Sequence, residues 1–157
     1  MLLGNLLLAL VWAALQGEFS LRTLLTGHVL GYVILLVLVR GGVLHPSPYI
    51  GRVHRVLGLA AFFFWELIRA NARLAFDVVT PRYHMKPGII AVPLDATRDA
   101  EILLLSMLIN TTPGSVALDV SPDKKTLYVH VMYMETPDAA REEIKQGFER
   151  RVLGVLG

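Results

Sequence analysis

Two long uncharged apolar runs at the start of the chain limit its possible folds more than any other feature. The first run is Met1 to Gly17, the second is Thr23 to Val39, and a short loop with Glu18 and Arg22 separates them. Each run has about 17 residues, the lower limit for a helix that crosses a hydrocarbon core of roughly 30 Å at about 1.5 Å per residue. The two runs therefore predict a tight transmembrane helical hairpin.

The overall composition agrees with a membrane protein. Of the 157 residues, 54% are hydrophobic and 18% are charged, whereas soluble domains carry about 25% charged residues. A cleaved signal peptide is the alternative for the first run. However, no basic residues precede that run and a second run follows almost at once, which favours the hairpin.

A third apolar segment, Val56 to Thr80, carries charges at regular intervals. Its charged residues are three or four positions apart and fall on one stripe of a helix: Glu66, Arg69, Arg73 and Asp77. At this spacing Glu66 can pair with Arg69, and Arg73 with Asp77. Two interpretations stay open: the helix lies in the membrane interface with its charges toward water, or it spans the bilayer with its charges facing a partner helix or a wet cavity.

The charge balance divides the chain into two unlike parts. Residues 1–82 contain seven Lys/Arg and three Asp/Glu, whereas residues 83–157 contain eight Lys/Arg and ten Asp/Glu. This distribution predicts a membrane region over 1–82, with helices over about 1–17, 23–39 and 56–80, followed by a small soluble domain over 83–157.

The positive-inside rule orients this arrangement. The loop Arg40 to Arg55 has three arginines and no acid, and is therefore expected in the cytoplasm. If the third helix spans the bilayer, the C-terminal domain is exported. If the helix lies in the interface, the domain stays cytoplasmic beside Arg82 and Lys86, with every basic cluster on one side. We expect the second arrangement.

Small and polar residues in the hairpin predict close helix packing. Gly27 and Gly31 form a small-xxx-small pattern that lets another helix approach closely, and Asn5 needs a hydrogen-bond partner in lipid. His28 is the only histidine within the two predicted helices, which contain no Asp, Glu, Lys or Arg. One histidine does not make a proton relay.

The second half alternates between strand and helix patterns. Strand signals over 86–95, 115–120 and 126–134 surround an apolar helix that ends at Asn110, and a charged helix follows Thr136. Pro93 predicts an edge strand or a strand end, and alternation in the last strand predicts a sheet partly covered on both faces. The order β-α-β-β-α, added to the membrane helices, makes the chain an α+β membrane protein.

No motif indicates catalysis. The chain has no cysteine, its five histidines lie in different segments, and phosphate-loop, dinucleotide and nucleophile-elbow motifs are missing from the sequence. Asp119 and Asp123 are interpreted as solvated turn acids, and His130 as a packed sheet residue. We therefore predict no enzymatic activity, no cofactor and no metal site, and expect a binding or subunit role.

The most unusual stretch runs from Asn110 to Ser115. Asn and Thr side chains here can satisfy free backbone groups, Pro113 can stop a helix, and Gly114 can adopt a backbone conformation that other residues avoid. We interpret the stretch as a helix-to-strand turn. An anion-binding nest or a docking loop is the alternative.

Several blocks resemble the E subunit of the multisubunit cation/proton antiporters of bacteria and archaea, often called Mrp or Mnh. The similarity covers nearly the whole chain. Its blocks include Asn5 with Trp12, Gly27 with Gly31, Glu66 with Asn71, residues 88–90 with 92–94, Thr112-Pro113-Gly114-Ser115 through Asp119, and Leu127-Tyr128-Val129-His130. The last two blocks are the most specific. Ser115 departs from the threonine that is common in the family.

The resemblance implies a non-catalytic accessory subunit of a Na⁺/proton antiporter in a bacterial or archaeal cell membrane. The other subunits and the lipid bilayer are the implied partners, and no nucleic acid is expected. The predicted packing or subunit-interface residues are Asn5, Trp12, Gly27, Gly31, Phe64, Glu66, Arg69, Arg73 and Asp77. Two alternatives are a membrane-anchored regulatory or ligand-binding domain, and a subunit that contributes a protonatable group, His28 or Glu66, to transport.

Overall fold

The computed structural model describes residues 1–45, 48–80 and 85–157. The chain divides into two compact units, Met1–His54 and Arg55–Gly157. The predicted domain boundary at residues 82 and 83, together with Arg82, lies outside the described residues, so that boundary stays a prediction.

The first unit consists of helices α1 (Leu2–Gln16) and α2 (Leu21–Arg40) and the beginning of α3 (Pro48–Val79). Gly17 ends α1 with φ 70°, a left-handed conformation that glycine adopts without steric cost. Ser20 then caps α2, because its side chain accepts a hydrogen bond from the Thr23 amide at 3.2 Å. The predicted hairpin therefore forms with a very short connection.

The two apolar helices differ in length. Among the described residues, α2 with 20 residues is the one helix long and apolar enough to cross a membrane, whereas α1 has 15 residues. At about 1.5 Å per residue, α2 is about 30 Å long and α1 about 22 Å. The structure thus gives one clear candidate span where the sequence predicted two.

The second unit contains most of α3 and a small α/β module. The module comprises β1 (Gly88–Pro93), α4 (Asp99–Thr111), β2 (Ser115–Val120), β3 (Thr126–Val131) and a C-terminal helix. That helix has three consecutive segments, α5 (Pro137–Glu142), a π-helical segment (Glu143–Glu149) and α6 (Arg150–Leu156). The strand order is β1-β3-β2, with both pairs antiparallel. The predicted β-α-β-β-α order is confirmed, and Pro93 lies at the end of an edge strand.

One face of the sheet holds the core. Both α4 and the C-terminal helix pack on this face, with buried residues Ile90, Val92, Leu127 and Val129 from the strands and Leu105, Ile109, Ile144 and Phe148 from the helices. The opposite face exposes Ile89, Val116 and Tyr128. The expected partial cover on both faces was therefore wrong, because both helices of the module lie on the same side.

Side chains block both outer strands of the sheet. Arg141 and Lys145 donate to the carbonyl oxygens of Ala91 and Pro93 on β1, at 3.0 Å and 2.7 Å. Asn110 accepts a hydrogen bond from the Ala117 amide on β2 at 2.7 Å. These contacts use backbone groups that could otherwise pair with another strand.

Candidate functional site

The residues Thr112 to Ser115 turn α4 into β2. The Thr112 hydroxyl donates to the Leu108 carbonyl at 2.9 Å, and the Ser115 hydroxyl donates to the Ile109 carbonyl at 3.0 Å. Gly114 has φ 89°, a region that side chains avoid. The local geometry is that of the predicted helix-to-strand turn, in which polar side chains satisfy the free carbonyls at the end of α4.

The first half of the charged stripe on α3 faces the α/β module of the same chain. Arg69 Nη2 lies 2.7 Å from Glu66 Oε1, which confirms the expected pair. The same guanidinium also contacts Glu143 in the π-helical segment. The Glu66 side chain is only 12% exposed. Arg69 thus joins α3 to the C-terminal helix, and its contacts are intramolecular where we expected another subunit or lipid headgroups.

The second half of the stripe surrounds Tyr133. The Arg73 guanidinium lies over the Tyr133 ring, 5.2 Å from its centroid, which is a cation–π geometry. Asp77 is buried. Burial raises the pKa of Tyr133, the Asp77 carboxylate raises it further, and Arg73 acts in the opposite direction. Tyr133 therefore lies between Arg73 and Asp77 of α3.

A small cavity of about 70 Å³ lies between the stripe and the turn. Its lining includes Glu66, Arg69, Arg73, Glu143, Tyr133 and the turn residues 112–115. Two arginines and two glutamates balance in charge, and the volume suits a few water molecules. Within residues 1–45, 48–80 and 85–157, no group of three or more His, Asp or Glu side chains could hold a metal ion.

The aromatic residues of α3 divide between two faces of the helix. Phe62 and Phe63 pack against the module core, and the Phe62 ring lies 5.3 Å from the Phe148 ring in an edge-to-face arrangement. Phe64 and Trp65 are 62% and 65% exposed. Of these four residues, only Phe64, which is among the predicted interface residues, and Trp65 are therefore available to a partner or to the membrane.

The glycine face of α2 is filled by α1. A Cβ atom at Gly27 would lie 2.9 Å from Ala9 Cα and 3.0 Å from Trp12 Cβ, and one at Gly31 would lie 2.3 Å from Asn5 Oδ1. Such distances exclude a side chain. Gly27 and Gly31 thus allow the close approach of α1 and α2 within the hairpin.

A polar cluster in the first unit was not predicted. Asn5 Nδ2 donates to the Tyr49 hydroxyl at 2.8 Å and lies 3.3 Å from His28 Nε2. The Tyr32 hydroxyl lies 2.9 Å from His54 Nδ1 nearby. The sequence pattern of residues 40–55, which include Tyr49, indicates only a charged loop. The sequence feature that points to this cluster is the presence of two polar side chains, Asn5 and His28, within apolar runs. Their third partner, Tyr49, lies outside the two runs.

The remaining predicted residues lie on the sheet. Leu127 and Val129 are buried in the core, while Tyr128 and His130 alternate toward the opposite face. Asp119 lies on β2 next to a bulge, and its Oδ1 accepts a hydrogen bond from the Val120 amide at 2.8 Å. The predicted family strand is thus the central strand of the module.

Comparison with known families matches this arrangement to membrane antiporters. The profile of the family MNHE, described as "Na+/H+ ion antiporter subunit", matches residues 5–155. The chain belongs to this family. The E subunit of the Na(+)/H(+) antiporter of Alkalihalophilus pseudofirmus is 36% identical over 98% of this chain and 96% of its own length. The corresponding E subunit of Bacillus subtilis is 32% identical over 96% of this chain and 94% of its own.

Two solved structures resemble this chain. A chain of the Mrp complex from Dietzia sp. is 25% identical with a TM-score of 0.50, over 66% of this chain and 96% of that chain. A chain of the membrane-bound sulfane sulfur reductase, an archaeal respiratory membrane complex, shares the fold at 24% identity with a TM-score of 0.56, over 96% of this chain and 95% of that chain.

These comparisons confirm the resemblance read from the motif residues. Membership of the MNHE family also confirms the expected association with antiport, with a membrane and with other subunits of a hetero-oligomeric complex. The family is one of transporter components rather than of enzymes.

Proposed function

We propose that the chain is a non-catalytic accessory subunit of a multisubunit Na⁺/H⁺ antiporter, and that the complex needs it for assembly. The observation that carries this proposal is the contact of Arg69 with both Glu66 and Glu143. Ion-conducting paths in membranes use ionisable groups that face a bundle interior or a water-filled cavity. Arg69 instead pairs with both glutamates where α3 meets the module, beside a cavity of only about 70 Å³, so these groups act as a structural connection.

The two faces of α3 favour the interfacial interpretation of this helix. Its charged stripe faces the module, whereas its opposite face exposes Leu57, Phe64, Trp65, Ile68 and Phe76. Aromatic and aliphatic side chains on one helix face are typical of helices buried in the headgroup–acyl boundary. The proposed arrangement is a multi-pass anchor formed by α1 and α2, α3 along the cytoplasmic membrane surface, and a cytoplasmic α/β domain.

The ligand-binding alternative has less support. Small-molecule pockets usually measure about 300–1,000 Å³, whereas the cavity beside the turn measures about 70 Å³. The turn residues that line it use their hydroxyl groups for backbone carbonyls. The space beside the turn is therefore too small for a ligand of this kind, and a larger, open space of about 610 Å³ lies beside Arg73, Lys86 and Tyr133.

A complementation experiment tests the accessory role. The chain is deleted from a host antiporter operon and returned as wild type, Glu66→Gln, or Glu142→Gln as a matched control on an exposed position. Na⁺-dependent proton exchange is measured in inverted vesicles, and complex assembly on native gels. We expect deletion to remove both exchange and assembly, and both variants to restore them.

One outcome would contradict this proposal directly. If Glu66→Gln abolishes exchange while the complex remains assembled, Glu66 takes part in transport itself. Intact exchange and assembly after deletion would contradict any need for the subunit.

A further inference from the structure

We infer that the open face of the sheet is the docking surface for one amphipathic helix of another antiporter subunit. The open face is the side of the sheet opposite α4 and the C-terminal helix. The inference rests on the proposed accessory role and deepens it, because it names the surface through which the module joins the complex.

The open face is apolar across all three strands. Ile89 on β1, Tyr128 on β3, and Val116 and Leu118 on β2 are between 40% and 64% exposed. The register places Ile89 and Val116 on either side of His130, so these side chains form one continuous patch. A contiguous apolar patch on a small domain is typical of a contact surface.

The edges of the sheet exclude a strand as the occupant. Arg141 and Lys145 donate to two carbonyl groups of β1, and Asn110 accepts a hydrogen bond from an amide of β2. Another strand would need these backbone groups to extend the sheet. The occupant therefore lies across the open face and not along an edge.

The position of α3 excludes the membrane as the occupant. Phe62 of α3 packs against Phe148 of the C-terminal helix, so α3 lies on the covered side of the sheet. In the proposed arrangement, the membrane contacts the outer side of α3. The same membrane surface does not reach the open face, and the occupant is therefore a protein surface.

The size of the open face suits a single helix. Its three strands have six residues each, and at about 4.8 Å between strands and about 3.3 Å per residue they cover about 14 by 20 Å. This area of about 280 Å² is well below the roughly 800 Å² that each partner buries in a standard interface, so it is too small for a second copy of this chain.

A helix of about four turns, roughly 10 Å wide and 22 Å long, matches the open face. Such a small contact is sufficient between subunits that share one membrane, because the shared anchor raises their effective concentration. A helix in this position would also give the sheet a helical layer on each side, a common architecture of α/β domains.

The charge of the open face defines the chemistry of this helix. Asp119 is the only Asp, Glu, Lys or Arg in the three described strands. It is exposed and pairs in the register with Tyr128, so it lies on the β2 side of the open face. The partner helix should therefore present an apolar stripe with a lysine or arginine at the margin that meets Asp119.

Photo-cross-linking in the assembled complex tests the identity of the occupant. The photoreactive amino acid p-benzoyl-phenylalanine is incorporated at Tyr128, or at the exposed Leu103 on α4 as a control, and mass spectrometry identifies the cross-linked peptide. We expect the probe at Tyr128 to cross-link to a helix of another antiporter subunit. The probe at Leu103 should not reach that helix.

Two variants test the contact itself through the yield of this cross-link. We expect Ile89→Glu to lower the yield about tenfold, as for a central apolar residue of an interface, and Asp119→Lys to lower it about threefold. Leu103→Glu, a matched change at an exposed leucine, should leave the yield unchanged. Thermal unfolding in detergent shows whether each variant folds. If Ile89→Glu does not fold, the probe at Tyr128 and Asp119→Lys still decide the outcome.

Two results would overturn the inference. One is a probe at Tyr128 that cross-links to nothing, to lipid, to a second copy of this chain, or to a segment of another subunit that is not a helix. The other is an equal loss of yield in Ile89→Glu and Leu103→Glu. Loss of assembly on deletion of the chain, together with no cross-link, would contradict only the docking surface and leave the accessory role intact.

Discussion

Gly27 shows how a single residue without a side chain can determine helix packing. Its backbone lies against Ala9, where an added Cβ would approach Cα and the carbonyl oxygen to 2.9 Å. Because both atoms belong to the backbone of α1, the contact is relieved only if the helices separate. Gly4 on α1 has no atom within 4 Å of the same hypothetical Cβ.

We expect Gly27→Ala to destabilise the hairpin by about 1–3 kcal/mol, the usual cost of overpacking a tight interface. Gly4→Ala should be neutral or slightly stabilising, since alanine has the higher helix propensity. Thermal unfolding of the purified chain in detergent, followed by circular dichroism, provides the measurement. Equal stabilities of the two variants would show that α1 and α2 do not pack through this face.

Glu101 gives the module a pH dependence in the acid range. Its carboxylate accepts hydrogen bonds from the Arg98 side chain at 2.8 Å and from the amides of Thr97 and Arg98 at 3.1 Å each. The Arg98 side chain, followed by the backbone amides, lowers the pKa of Glu101 below the ordinary value of 4.5. A lowered folded-state pKa stabilises the fold above the unfolded value, and this contribution disappears as the pH falls through the folded one.

At pH 7, Glu101→Gln should therefore have a lower free energy of unfolding than the wild type. This difference in the free energy of unfolding should become smaller as the pH falls below about 4.5. The exposed Glu142→Gln serves as control and should show little difference at either pH. Urea unfolding at pH 7 and at pH 3.5 checks both. A difference for Glu101→Gln that persists unchanged at the lower pH would rule out the carboxylate charge as the cause.

Residue-level reasoning predicted local chemistry better than distant contacts. The turn from Thr112 to Ser115 was recognisable because each residue type has a known effect on the backbone within a few positions. The cluster of Asn5, His28 and Tyr49 was not recognisable, because any two of its members are 21 to 44 residues apart in the sequence. At such separations, the spacing of residues does not predict which side chains come into contact.

At the scale of elements, α3 is an amphipathic helix with two distinct faces. The inner face packs on the module, and the outer face is exposed. Phe62 lies on the inner face, where it contacts the Phe148 ring and where Arg151 stacks 3.9 Å from its centroid. Phe64, two positions along, lies on the outer face and is 62% exposed. Substitutions at Phe62 and Phe64 therefore test two different contacts of α3. Phe62 reports its packing on the module, and Phe64 reports its contact with the membrane or with other subunits.

We expect Phe62→Ala to destabilise the chain by about 2–4 kcal/mol, near the range for removal of a large core side chain. Phe64→Ala should leave the stability of the chain in detergent nearly unchanged but weaken its retention by membranes or by the complex. Chemical unfolding and membrane flotation measure the two effects. Equal destabilisation by both variants would contradict the assignment of faces.

The sequence pattern identified the elements of the module but not all of their partners. Strand alternation and Pro93 predicted the antiparallel sheet with β1 at its edge, because both depend on local backbone chemistry. The stripe of α3 was also correctly located. What the stripe faces depends on the tertiary position of Glu143 and Tyr133, and amphipathicity alone does not distinguish water, lipid headgroups or another part of the same chain.

At the scale of the whole molecule, the proposed topology joins an apolar hairpin to a module with acidic excess. The basic loop between α2 and α3 favours the cytoplasm, and an interfacial α3 keeps the module on the same side. Glu18 in the loop between α1 and α2 is then outside. The absence of cysteine from the sequence allows single cysteines to report each position without background labelling.

Glu18→Cys and Lys125→Cys, both at exposed positions, should therefore label from opposite sides. With a membrane-impermeant maleimide, we expect Glu18→Cys to react in right-side-out vesicles and Lys125→Cys only in inverted vesicles. Detergent-opened vesicles, in which both must react, control for the accessibility of each thiol. If Lys125→Cys reacts from outside, α3 crosses the bilayer, and the interfacial interpretation of its charged stripe is wrong.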